Sequence, residues 1–209
     1  MSASTHVAIV KELRRHAPFT ALGALTGIAV MVLVVVGRVP HGVSEWAFDV
    51  LHPAHVLFSA VVTAALYRRY KRNVWVAVII GYVGSVGIGT LSDIVLPYLG
   101  GRLVGAEMHH IHIGFIEHWY VVNPLALAGV AWALWRPTTK LPHSAHMLLS
   151  TWASLFYLTA HGEADWLPLL PVIFVVLFVA VWLPCCLSDI VFPLLFVGGE
   201  PAADHAHHH

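Results

Sequence analysis

Ser92-Asp93-Ile94-Val95-Leu96-Pro97 returns 96 residues later as Ser188-Asp189-Ile190-Val191-Phe192-Pro193, with five of six positions identical. Both copies lie in apolar stretches, so each sets a carboxylate in a segment suited to hydrocarbon. The sequence ahead of them repeats as well. His52-Pro53-Ala54-His55 and His143-Ser144-Ala145-His146 are both H-x-x-H, each with a proline (Pro53, Pro142) beside the first histidine. Further upstream the match is fainter: His16 stands eleven residues before Gly27, and His118 eleven before Gly129. The three offsets, 102, 91 and 96 residues, keep one order along the chain, which duplication explains better than chance.

Composition sets the solvent. Of 209 residues, 58% are hydrophobic and 11% charged, against roughly 25% charged in an ordinary soluble domain. A hydrocarbon core asks for about 20 apolar residues per helix. The chain offers six such stretches: Phe19 to Val36, Pro53 to Tyr67, Val74 to Leu99, Trp119 to Trp135, His143 to Ala160 and Leu167 to Phe196. The fold expected is therefore all-α, a polytopic membrane protein of about six transmembrane helices. Residues 1–18 form a lead, 19–105 a first three-helix unit, 106–199 a second, and 200–209 a histidine-containing tail, native or a tag. No small-residue cleavage site marks the first apolar stretch as a signal peptide.

Three crossings per unit is an odd number, so the second copy must be inserted upside down, giving a 3+3 inverted repeat of the kind found in secondary transporters. Nine of the eleven basic residues (Lys11, Arg14, Arg15, Arg68, Arg69, Lys71, Arg72, Arg136, Lys140) fall on one side of this arrangement. By the excess of Lys and Arg in cytoplasmic loops, both termini belong in the cytoplasm. The setting expected is the cytoplasmic (inner) membrane of a prokaryote.

The ionisable residues within the spans then sort by depth. His52, His55, Asp93 and His118 can converge towards the outer face, and His143, His146, Asp189 and His16 towards the inner one. Residues three apart on a helix share a face, so each H-x-x-H can turn two imidazoles to one point. Three imidazoles and a carboxylate suit Zn²⁺, Fe²⁺, Co²⁺, Ni²⁺ or Mn²⁺ better than the all-oxygen shells of Ca²⁺ and Mg²⁺. Zn and Fe are the first choices. Pro97 and Pro193 each lack the amide that would bond the carbonyl four residues back, which would free the carbonyls of Asp93 and Asp189. Further ligand candidates are Ser92 and Ser188 beside the aspartates, Cys185 and Cys186 on the helical face of Asp189, and a loop with His109, His110, His112 and Glu117. Gly84, Gly87, Gly89 and Pro184 weaken the helices ahead of the aspartates and read as hinges. Gly23 and Gly27 form a small-xxx-small pair suited to a helix contact within the chain or across a homodimer.

An aspartate at the centre of a membrane helix costs roughly 2.5–3.5 kcal/mol on insertion scales, and a chain that carries two has a use for them. The use expected is transport: a transporter or channel for a divalent transition metal, with one histidine and aspartate cluster near each membrane face. The alternatives are a membrane-embedded metalloenzyme (a hydrolase or di-iron oxidase) and a bis-histidine haem protein. The partners expected are the lipid bilayer and the metal ion; no basic patch interleaved with aromatics points to nucleic acid.

Overall fold

The computed structural model describes the backbone of residues 3–136 and 140–186, with side chains described within 17–136 and 145–185 and at Arg14. Helix α1 (Ala3–Val36) is followed by α2 (His41–Tyr70) and by α3 (Val74–Thr90), which runs through a π-helical turn (Leu91–Val95) into α4 (Leu96–Leu103). A two-residue strand β1 (Glu107–Met108) and a short α5 (Gly114–Glu117) lead to α6 (Trp119–Trp135) and α7 (Lys140–His161). Strand β2 (Gly162–Glu163) then precedes α8 (Trp166–Cys186). The described chain is all-helical apart from the small clasp in which Glu107 pairs with Glu163 and Met108 with Gly162.

Among the described residues, four helical segments are long and apolar enough to cross a membrane: Ala17–Val36, His41–Tyr70, Val74–Leu103 and Trp166–Cys185. Trp119–Trp135 is apolar but shorter, at 17 residues. The surface is what a lipid-facing bundle presents. Leu22, Leu33, Ile79, Val83, Val175 and Leu183 point outward, while Ser44, Ser59, Thr63, Ser85, Ser92, Asp93, Ser150, Thr151 and Ser154 are buried. A soluble core would reverse that order. Exposed aromatic rings gather at the two ends of the bundle, with Trp46, Trp119 and Tyr120 at one and Tyr70, Trp75 and Trp135 at the other. Such girdles sit at the headgroup level of a bilayer.

The central helix is α2, which packs on α3, α6 and α7, while α1 packs on α7 and α8. It begins at His41 and not at Pro53, contrary to the sequence reading. Pro40, with φ −59° and ψ 142°, occupies the position before the first turn, and Pro53 lies inside the helix. A proline there removes one backbone bond, to the carbonyl of Asp49. Burial on both sides of it outweighs the loss. Ser44, Phe48, His52, His55, Ser59 and Thr63 are all buried at helical spacing and form one stripe. Phe48 meets Tyr157 and His161 of α7, and His55 meets His146. Ascending α2 thus descends α7, so the two helices are antiparallel.

Small residues set the helix spacing. A Cβ at Gly129 of α6 would run into the carbonyl oxygen of Leu57 and lie 2.9 Å from the Cβ of Ala60 on α2. Gly23 and Gly27 of α1 face Thr151 of α7, 2.9 and 3.6 Å from where their Cβ atoms would stand. This glycine pair is used inside the chain.

Candidate metal centre

Asp93 lies in the π-helical turn between α3 and α4, and its side chain has no solvent exposure. π turns are rare and concentrate at functional sites. The cause is local. Leu96 N–H bonds the carbonyl of Leu91, five residues back, and in the same register Pro97 would bond Ser92. Proline has no N–H, and the Ser154 hydroxyl of α7 donates to the Ser92 carbonyl at 3.0 Å. The sequence reading, which assumed an α register, placed the freed carbonyl at Asp93; the five-residue register moves that opening to Ser92.

The carboxylate is saturated. Oδ1 accepts from Ser92 Oγ at 2.8 Å and from Ser150 Oγ at 2.6 Å. Oδ2 lies 2.8 Å from His52 Nδ1 and 2.7 Å from His55 Nδ1. An ionised carboxylate only accepts, so both imidazoles carry hydrogen on Nδ1 and present Nε2 as a lone pair. Both Nε2 atoms are buried and have no hydrogen-bond partner. An acceptor left bare in a low-dielectric interior costs about 1–3 kcal/mol. Each is a ligand atom open to a cation.

His52, His55 and Asp93 each offer one ligand atom, and these lie within 4.8 Å of one another. At 2.7–2.8 Å the nitrogen to oxygen contacts are hydrogen bonds. Ligands about 2 Å from a tetrahedral ion stand about 3.3 Å apart. An ion entering among these three atoms therefore requires each ring to carry its hydrogen on Nε2 instead, and spreads the contacts by about half an ångström. The alternative is for Asp93 to stay hydrogen-bonded to the rings as their orienting carboxylate while an ion takes Nε2. The donor set serves a borderline divalent cation either way.

The rings around the triad are positioned by aromatic contacts. Phe48 stacks on His52 at 5.3 Å and 11°. His146 stacks on His55 at 5.7 Å and 11°. His146 was expected with the opposite set, near the other membrane face. The geometry puts it in ring contact with the first set, because α2 and α7 cross with these two residues facing each other.

A second group lies above the triad. Asp49, His112 and His118 also bring ligand atoms within 4.8 Å of one another, and all three are half-buried. His118 Nδ1 stands 3.5 Å from Asp49 Oδ1, and the His112 and His118 rings meet edge to face at 5.3 Å. His118 was expected with Asp93; it sits at the junction of α5 and α6 and joins Asp49 on α2. The His112 ring also stacks on His161 at 5.1 Å.

Of the other expected ligands, Ser92 touches Asp93 directly. His109 and His110 are exposed, with His109 Nδ1 3.0 Å from the carbonyl of His161. Glu117 holds His112. Cys185 is buried near the end of α8. The side chains of His16, His143 and Cys186, and the whole of Ser188 and Asp189, lie outside the described residues. Four residues were missed: Asp49, Ser150, Ser154 and His161. Asp49 stands three before His52 on one helical face, and His146, Ser150 and Ser154 follow each other at intervals of four. These spacings were the available signal.

Compared with known proteins, the chain matches no family, no curated protein and no solved structure.

Proposed function

We propose that the protein carries a divalent transition-metal ion, Zn²⁺ or Fe²⁺ before Mn²⁺, Co²⁺ or Ni²⁺, across a membrane as a transporter or channel. The observation that carries this reading is the buried Asp93, saturated by two serines and two histidines whose Nε2 atoms are bare. It lies among helices of membrane-crossing length, where ionisable groups mark ion pathways. His52, His55 and Asp93 form one binding station, and His146 beside His55 is the next imidazole along the shaft.

Six crossings in two inverted units remain our reading of the architecture, with both termini cytoplasmic in the inner membrane of a prokaryote. Two features support it. Gly129 against Ala60 and Gly27 against Thr151 are equivalent pairs under the offsets of 102 and 91 residues. His55 and His146, equivalent under the same offset of 91, face each other across antiparallel helices, as an inverted repeat requires. By the same repeat, we propose His143, His146, Asp189 and His16 as a second ligand set.

Uptake of Zn²⁺, Fe²⁺, Mn²⁺, Co²⁺ and Ni²⁺ into proteoliposomes tests the reading. Flux of at least one ion above empty vesicles, lost in Asp93→Asn, is expected. Absence of flux for all five would overturn it, and metal bound without flux would favour a membrane metalloenzyme.

A further inference from the structure

We infer that the chain has a separate metal-capture site at its mouth, formed by Asp49, His112 and His118, which takes a divalent transition-metal ion from solution and hands it to His52. The capture step deepens the transport reading and rests on it for the ion's destination. Binding at the mouth stands by itself.

The site is built. Glu117 accepts from His112 Nδ1 at 2.5 Å through one oxygen and from the Ile113 N–H at 2.9 Å through the other. This commits the Nδ1 hydrogen of His112, so Nε2 is its ligand atom, and it pins the turn that carries the ring. An orienting carboxylate behind a ligating histidine is the usual arrangement at metal sites. Asp49 supplies the ligand carboxylate opposite. Three protein ligands leave coordination positions for water, and the half-exposed setting lets the ion exchange with the medium.

The step inward is short. Asp49 and His52 are three residues apart on α2, hence neighbours on one face. The loop that carries His112 also carries Gly114, which closes over His52 so tightly that a Cβ there would stand 3.3 Å from Nε2. The bare nitrogen of His52 therefore lies beneath the capture loop, with its other nitrogen on Asp93. An ion leaving the mouth meets it next.

Zn²⁺ binding to the full-length protein in lipid nanodiscs, counted by elemental analysis and titrated calorimetrically, tests the inference. Counts are differences from the parent, so the tail histidines cancel. Asp49→Asn should lose one ion and leave the Asp93-dependent ion in place. His118→Gln, at a half-exposed position where folding is not at stake, should do the same. Asp93→Asn should lose a different ion, so that Asp49→Asn combined with Asp93→Asn loses two. In proteoliposomes Asp49→Asn should raise the Zn²⁺ concentration for half-maximal flux by about tenfold, at the low end of what lost metal-site support costs, while the maximal rate stays near the parent's. The inference is overturned if Asp49→Asn and His118→Gln bind as many ions as the parent with equal affinity, or if the double variant loses no more than Asp93→Asn alone. Either result leaves the buried station standing. Unchanged binding and flux in Asp93→Asn would remove that station and leave the mouth site.

Discussion

Ser154 of α7 shares its hydroxyl hydrogen between the carbonyl of Ser150 on its own helix, at 2.8 Å, and the carbonyl of Ser92, at 3.0 Å, where it stands in for the amide that Pro97 cannot supply. The contact ties the π turn to α7 and so fixes the direction of Asp93. Ser154→Ala should leave a buried carbonyl bare, at a cost of about 1–3 kcal/mol. A lower melting temperature in detergent is expected, with recovery in Ser154→Thr. Equal melting of parent and alanine variant would show that the turn holds itself.

Ser150 is the residue to separate binding from folding. Its hydroxyl donates to Asp93 Oδ1 at 2.6 Å, a charge-assisted bond worth about 1.5–3 kcal/mol. Ser150→Ala should weaken Zn²⁺ binding at the buried station by about tenfold while the chain still folds, because Ser92 keeps the same oxygen partly satisfied. Calorimetry on the parent and variant reads this directly.

Two glycines make opposite expectations. Gly129→Ala would push a methyl into the Leu57 carbonyl and Ala60, separating α6 from α2. A loss of about 1–3 kcal/mol or more is expected. Gly87→Ala meets nothing within 4 Å and should stabilise α3 by about 0.5–1 kcal/mol. Thermal melts of both give the comparison; a destabilised Gly87→Ala would mean that its flexibility is needed in the resting fold.

Gly114→Ala tests the cover over His52. The added Cβ would stand 3.0 Å from Cδ2 and 3.3 Å from Nε2, so the ring or the loop must yield by a few tenths of an ångström. Zn²⁺ flux should fall several-fold with little change in melting temperature. Full flux would place the ion's route elsewhere.

An ion taken among the triad's ligand atoms should move each ring's single hydrogen from Nδ1 to Nε2, because a neutral imidazole keeps one hydrogen whichever nitrogen binds. The ¹⁵N spectra of His52 and His55 should then change from the Nδ1–H to the Nε2–H pattern on addition of Zn²⁺. Asp93→Asn should abolish that change. An Nδ1–H pattern that persists with Zn²⁺ bound would indicate that the ion is taken at Nε2 alone.

Much of this was legible in the residues. Trp119–Trp135 has the bounds read from hydropathy, and Val74 starts its helix as expected. His52, His55 and Asp93 were found because ionisable groups stand out against hydrocarbon. The failures are linked. Taking Pro53 as a helix start turned residues 37–52 into a loop, which hid the position of Asp49 one turn above His52. His118 was joined to Asp93 by depth alone, which does not tell a residue at a helix junction from one inside the bundle. The serines of α7 were passed over because hydroxyls are common on membrane helices and show their purpose only when a partner helix is placed. Pro97 announced a missing bond, but the π register that decides whose carbonyl is left depends on contacts with α7.

The clasp between β1 and β2 bears on how quickly an ion can be taken. Met108 packs its sulfur against Gly101 and Gly162, where any added Cβ would come within 2.6 Å. At its far end the loop enters α6 directly at His118. The stretch from His109 to His118 is thus moored at both ends, and folding has already settled the conformational entropy that a slack loop would forfeit at each encounter. Arrival at the mouth should therefore be governed by diffusion and by the shedding of the ion's own hydration waters, with no wait for the protein to close around it.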